Sequence, residues 1–105
     1  MIVKSEKGKY REFKGIRFEV LATGEKSMVT RMSFNTNDKV PSHSHPNEQC
    51  GYVISGEYRI TIGWLTDSLS PGDSYTIPAE VEHGLEVISG GIILDFFTPP
   101  RKDYL

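Results

Sequence analysis

Apolar residues in this chain recur at every second position, in short runs that stop at turn-forming residues. Ile16, Phe18 and Val20 alternate with Arg17 and Glu19. Met28, Thr30, Met32 and Phe34 alternate with Val29, Arg31 and Ser33, and Tyr58, Ile60 and Ile62 with Glu57, Arg59 and Thr61. A period of two puts the two sets on opposite faces of a strand. Ile92–Thr98 is apolar on both faces except at Asp95. The breaks carry turn chemistry: Thr23-Gly24, Asn35–Lys39, Ser55-Gly56, Pro71-Gly72-Asp73, Ser89-Gly90-Gly91 and Pro99-Pro100. No helix-period segment of useful length competes. The pattern predicts an all-β sandwich or barrel. With 105 residues, the chain has material for one domain with a modest core. Residues 1–13 and 99–105 are expected to be peripheral arms on a barrel spanning about 14–98. Such arms pair readily with another chain, which points to a homodimer.

Charge narrows the partners. Twelve basic and 14 acidic residues leave a net of −2, without a basic stripe, so nucleic acid is not an expected partner. No apolar stretch approaches the ~20 residues that span a bilayer. The start, MIVKSEKGKYREF, lacks a signal-peptide apolar core, so a cytoplasmic location is expected. Cys50 is the single cysteine, which rules out an internal disulfide. It is read as a small buried hydrophobe.

The chemistry concentrates in HSHPNEQ, residues 43–49. Histidines two apart on a strand face the same way, so His43 and His45 can reach one ion. Gln49 keeps their parity. Glu48 has the opposite parity unless the Pro46-Asn47 turn breaks the count. His83, the only other histidine, follows a Pro-Gly-Asp turn and the segment Tyr75–Pro78. Three imidazoles and one oxygen donor suit zinc, nickel, iron or manganese better than calcium or magnesium. One divalent transition metal ion is therefore the expected cofactor. Ser42 and Ser44 read as spacers, with no base arranged to activate them.

These residues carry a resemblance to the single-domain cupins, whose fold is a jelly-roll β-barrel. The first cupin motif is matched by His43, His45, Gln49 and Gly56, the second by Gly72, Pro78 and His83. The spacing to Gly56 favours Gln49 as the fourth ligand. Asn37, Glu80 and Val87 depart from the motifs, at turn or supporting positions. The resemblance spans roughly Phe34 to Phe97.

The last strand adds a second cluster. Ile93, Asp95 and Phe97 share one face, and Asp95 is a carboxylate in an otherwise apolar strand. Facing a metal cavity, it is a candidate general acid/base. The alternative is a structural carboxylate that bonds backbone or Arg101. The planar fork of Arg101 suits a carboxylate, either Asp95 or one on a substrate. Phe97 would be a cavity wall or plain core. The tail as a whole is similar to that of the small pectin-degradation cupins called KdgF. That resemblance implies conversion of 4,5-unsaturated uronate monosaccharides, small anionic sugar acids, to linear keto-uronates. It implies Asp95, Phe97 and Arg101 as active-site residues and His43, His45, Gln49 and His83 as metal ligands. A cupin dioxygenase and a non-catalytic sugar-acid-binding cupin are the competing readings. Arg31 and Arg59 are expected at the surface, Tyr52 in packing, and Trp64 at a hairpin end.

Overall fold

The computed structural model describes residues 1–105. Strands β1 (Lys9–Phe13), β2 (Ile16–Thr23), β3 (Met28–Phe34), β4 (Lys39–His43) and β5 (Glu48–Val53) are followed by β6 (Glu57–Ile62), β7 (Leu65–Leu69), β8 (Ser74–Ile77), β9 (His83–Ser89) and β10 (Gly91–Thr98). The only helical pieces are short 3-10 turns at Ser5–Lys7 and Lys102–Tyr104, and no helix is long and apolar enough to cross a membrane. All pairings are antiparallel. They build a six-stranded sheet, β1-β2-β3-β10-β5-β8, and a four-stranded sheet, β4-β9-β6-β7. This is the expected all-β jelly-roll barrel.

The core lies between the sheets and is made of the alternating residues. Phe18, Met28, Val53, Tyr58, Ile77 and Ile93 are each almost wholly buried. Their burial supplies the main driving force for closing the sheets. The outer face of β2 and β3 is polar. There Glu19 and Arg31 pair across the strands at 2.6 Å, and the Arg31 guanidinium also donates to the Ser5 carbonyl at 2.9 Å. Arg31 thus points away from the core, and Arg59 lies on an exposed position of β6. Trp64 stands almost fully exposed in the turn between β6 and β7.

Two sequence expectations fail for the same reason. In β5 the residues Gln49, Gly51 and Val53 face inward, so Glu48, Cys50 and Tyr52 face outward. Cys50 is exposed rather than buried, and Tyr52 is exposed rather than packed. The parity that selects Gln49 excludes its even-numbered neighbours from the core.

Three turn positions have positive φ without glycine: Lys14, Asn37 and Glu80. Asn37 and Glu80 are positions where the cupin motifs favour glycine, and a left-handed backbone is the reason glycine suits them. The fold keeps that backbone with the side chains in place.

Candidate metal centre and active-site cleft

His43 ends β4, and His45 lies beyond it in the β4–β5 loop. The two were expected on one strand; the loop delivers the second ring instead. His83 opens β9 and sits directly across from His43 in the register. The ring centroids are 4.3 Å apart for His43 and His83, 4.9 Å for His45 and His83, and 5.8 Å for His43 and His45. One nitrogen from each ring lies within 4.8 Å of the others, a spacing that could hold a metal ion.

The outer nitrogens fix how the rings are used. Each Nδ1 lies 2.9 Å from a backbone carbonyl: that of Pro41 for His43, Asn47 for His45 and Val81 for His83. A carbonyl only accepts, so each Nδ1 carries the proton and each Nε2 presents a lone pair. Gln49 extends its side-chain oxygen to 2.9 Å from His45 Nε2. Two lone pairs then face each other across that gap, an arrangement that a cation between them relieves. The residues therefore fit a divalent ion held by neutral donors. Burial is the main cause holding all three histidines below the usual imidazole range, His83 down to about 4. They are neutral at pH 7, the form that binds metals. Glu48, on the outer face, is exposed and takes no part.

Asp95 lies in the middle of β10, between Thr30 of β3 and Gly51 of β5. It is only 5% exposed. Tyr75 of β8, which pairs with the other side of Gly51, donates its hydroxyl proton to Asp95 Oδ1 at 2.6 Å. Burial raises the Asp95 pKa to about 6, against the opposing pull of Tyr75, the Gln49 amide and the Arg101 charge. Tyr75 was not singled out from the sequence. Its parity with Ile77 was the available signal, since both face inward.

Arg101 is 6% exposed and does not bond Asp95. Its carboxylate partner is Asp103, which accepts from Nη2 at 2.8 Å and Nε at 3.3 Å. Nη1 donates to the Tyr104 hydroxyl at 2.8 Å. The guanidinium lies 4.1 Å from the Tyr104 ring centre and 5.4 Å from those of Phe13 and Phe97, within range of cation–π attraction. A guanidinium has five N–H donors; three are used here, leaving two. Phe97 is both core and wall: it is buried, and its ring meets His45 edge-on at 5.7 Å.

His43, His83, Gln49, Asp95, Phe97 and Arg101 line one cleft. His45 touches this group through Gln49 and Phe97. Aromatic residues that sequence reasoning did not assign, Phe13, Tyr75 and Tyr104, complete the walls. The cleft thus joins three neutral imidazoles, a buried carboxylate and one partly free guanidinium.

A jelly-roll barrel with these paired histidine motifs defines a cupin. Residues 30–97 match the family described as cupin domain, and the chain belongs to that family. Within it, the chain resembles the small KdgF cupins. It is 26% identical over 93 residues to the pectin degradation protein KdgF of Dickeya dadantii (strain 3937), covering 87% of this chain and 84% of that protein. The fold of KdgF from Halomonas sp. superposes with a TM-score of 0.91 at 24% identity, covering 100% of this chain and 98% of that one. An RmlC-like cupin from Shewanella frigidimarina NCIMB 400 also gives a TM-score of 0.91, at 27% identity, with 99% and 95% covered.

Proposed function

We propose that this cupin converts 4,5-unsaturated uronate monosaccharides to linear keto-uronates by ring opening and ketonisation. The observation that carries the reading is Asp95: a buried carboxylate, held by Tyr75, in the same cleft as the histidine cluster and Arg101. The resemblance to the pectin degradation protein supports the substrate class.

His43, His45 and His83 would hold one divalent transition ion through Nε2, and Gln49 through its side-chain oxygen. When bound, that ion supplies Lewis acidity toward a substrate oxygen. The two unused N–H groups of Arg101 would take the substrate carboxylate as a bidentate pair. Phe97 and the other aromatic walls confine the ring. The Asp95 carboxylate removes the proton of the anomeric hydroxyl. The bond between the anomeric carbon and the ring oxygen breaks, and the ring oxygen keeps the pair. An aldehyde and an enolate result. Protonated Asp95 then returns the proton to the far carbon of the double bond, and the enolate becomes a ketone. No atom or electron is gained or lost, so no oxidant is required. Burial works to raise the Asp95 pKa, to about 6 in the metal-free protein, and so favours a carboxyl that can both take and return a proton.

Neutral protein ligands leave the cleft more positive than a glutamate ligand would, which favours an anionic substrate. A homodimer in the cytoplasm completes the reading, and the exposed Tyr52 and Phe96 on the outer face of the larger sheet support a second copy as partner. The test is product identity: incubated with unsaturated galacturonate, the protein should yield the linear keto-uronate by NMR without oxygen uptake. Recovery of unchanged substrate at the spontaneous rate rejects the proposal.

A further inference from the structure

Asn47 lies within the HSHPNEQ stretch but is not among the candidate ligands. It is only 6% exposed, a depth unusual for an asparagine in a loop. Its side-chain nitrogen donates to the Pro99 carbonyl at 2.7 Å and to the Pro100 carbonyl at 3.3 Å. Its own backbone carbonyl accepts from His45 Nδ1 at 2.9 Å. One residue therefore touches the histidine cluster on one side and the base of the C-terminal tail on the other. Arg101 follows Pro100 directly. Proline has no N–H, so the Pro99-Pro100 segment cannot donate to any strand and is left to be held through its carbonyls. Asn47 supplies both donors. Farther along, the Arg11 guanidinium donates to the Tyr104 carbonyl at 2.9 Å, from a less buried position.

We propose that Asn47 is a positioning residue for anion recognition: it clips the tail carrying Arg101 to the loop carrying His45, and so holds the anion anchor in register with the histidine cluster. The inference rests on the reading of Arg101 as the anchor for the substrate carboxylate. Asn47 does not touch substrate; it sets where Arg101 can be.

Asn47→Asp is the sharpest variant. It keeps the shape but sets an acceptor against two carbonyls, so the clip becomes a repulsion. Asn47→Ala removes the donors without the added charge. Both are compared with the wild type for trypsin cleavage after Arg101 and Lys102, followed by mass spectrometry, and for metal content. Binding of saturated galacturonate, which has no double bond to turn over, and kinetics with the unsaturated form complete the comparison. Cleavage of the tail should accelerate at least about tenfold as the clipped state loses population. The galacturonate Kd and the KM for the unsaturated sugar should rise about tenfold or more, with kcat changed by less than about threefold. Metal content should stay at the wild-type value. Added to an Arg101→Ala chain, Asn47→Ala should raise KM no further.

Unchanged tail cleavage in both variants overturns the clip. A released tail with unchanged galacturonate affinity overturns its link to anion recognition. Loss of the metal together with tail protection makes Asn47 a support of the histidine loop instead. A wild type that turns over no unsaturated uronate rejects the proposed reaction, and cleavage and galacturonate binding still decide the role of Asn47.

Discussion

The Tyr75 hydroxyl reaches Asp95 Oδ1 at 2.6 Å across a strand that has no side chain between them. Gly51 pairs with Asp95 on one side and Tyr75 on the other, and a Cβ at Gly51 would run into the Tyr75 ring. The hydrogen bond fixes one carboxylate oxygen and leaves Oδ2 for a substrate proton. Asp95→Asn should lower kcat by about 10²- to 10⁴-fold with the metal retained. Tyr75→Phe, which frees the carboxylate to rotate, should lower it by about 10- to 100-fold. Gly51→Ala should match Tyr75→Phe, and combining the two should add little. Steady-state kinetics on metal-loaded variants measure all three; a fully active Asp95→Asn protein would remove the proton carrier.

Metal binding should follow the neutral donor set. Replacing any one of His43, His45 or His83 by Ala should weaken affinity by more than about 100-fold, whereas Gln49→Ala should cost about tenfold. Gln49→Glu should bind the ion more tightly and the anionic sugar more weakly, because it cancels part of the positive charge. Chelator competition and elemental analysis check these values.

Metal-free protein should show the buried carboxylate in its pH dependence. Burial raises the folded pKa of Asp95 from 3.8 to about 6. Between those values the folded state binds more protons than the unfolded chain, so this group destabilises increasingly as pH rises and reaches its full effect above about 6. The stability gained by Asp95→Asn should therefore grow across that window and level off, at no more than about 3 kcal/mol. The histidines work in the other direction. Their pKa values are lowered, His83 from 6.5 to about 4, so stability present above 6.5 is lost as pH falls toward 4. Urea unfolding of wild type, Asp95→Asn and His83→Gln across this range separates the two contributions; a flat difference for Asp95→Asn would contradict the burial argument.

The alternation of apolar residues carried most of the fold, because each buried face needs every second residue to be apolar. The same parity placed Gln49 inside and Glu48 outside. It also placed Cys50 and Tyr52 outside, against their residue types, since strand parity overrides the general preference for burial. His45 faces the cluster from a loop, where parity has no meaning; its placement depends on the Asn47 carbonyl. Tyr75 and Asn47 were not legible because each acts through a partner at least 20 residues away in sequence. The sequence offers Arg101 a partner on β10 or a substrate, but Asp103, two residues on, lies closer along the chain and the 3-10 turn brings it round.

The left-handed turn residues offer a stability test independent of function. Glu80 has φ 67°, and its N–H is spent on the His45 carbonyl at 2.8 Å. Glycine adopts that backbone without the Cβ strain, so Glu80→Gly should stabilise the protein by about 1 kcal/mol. Lys14 and Gly15, with φ 49° and 84°, form the two-residue turn between β1 and β2. Lys14→Asn suits the first position of such a turn and should add a few tenths of a kcal/mol, about 0.5. Urea midpoints check both, and a loss of stability in Glu80→Gly would show that its side chain outweighs the strain.

The central claim is turnover of an unsaturated uronate, and the loss of its double-bond ultraviolet absorbance tests it most directly. Metal-loaded protein with unsaturated galacturonate should remove the absorbance far faster than the buffer control, and chelated protein should fall back toward that control. A rate equal to the spontaneous one, with the metal bound and the fold intact, would contradict the account.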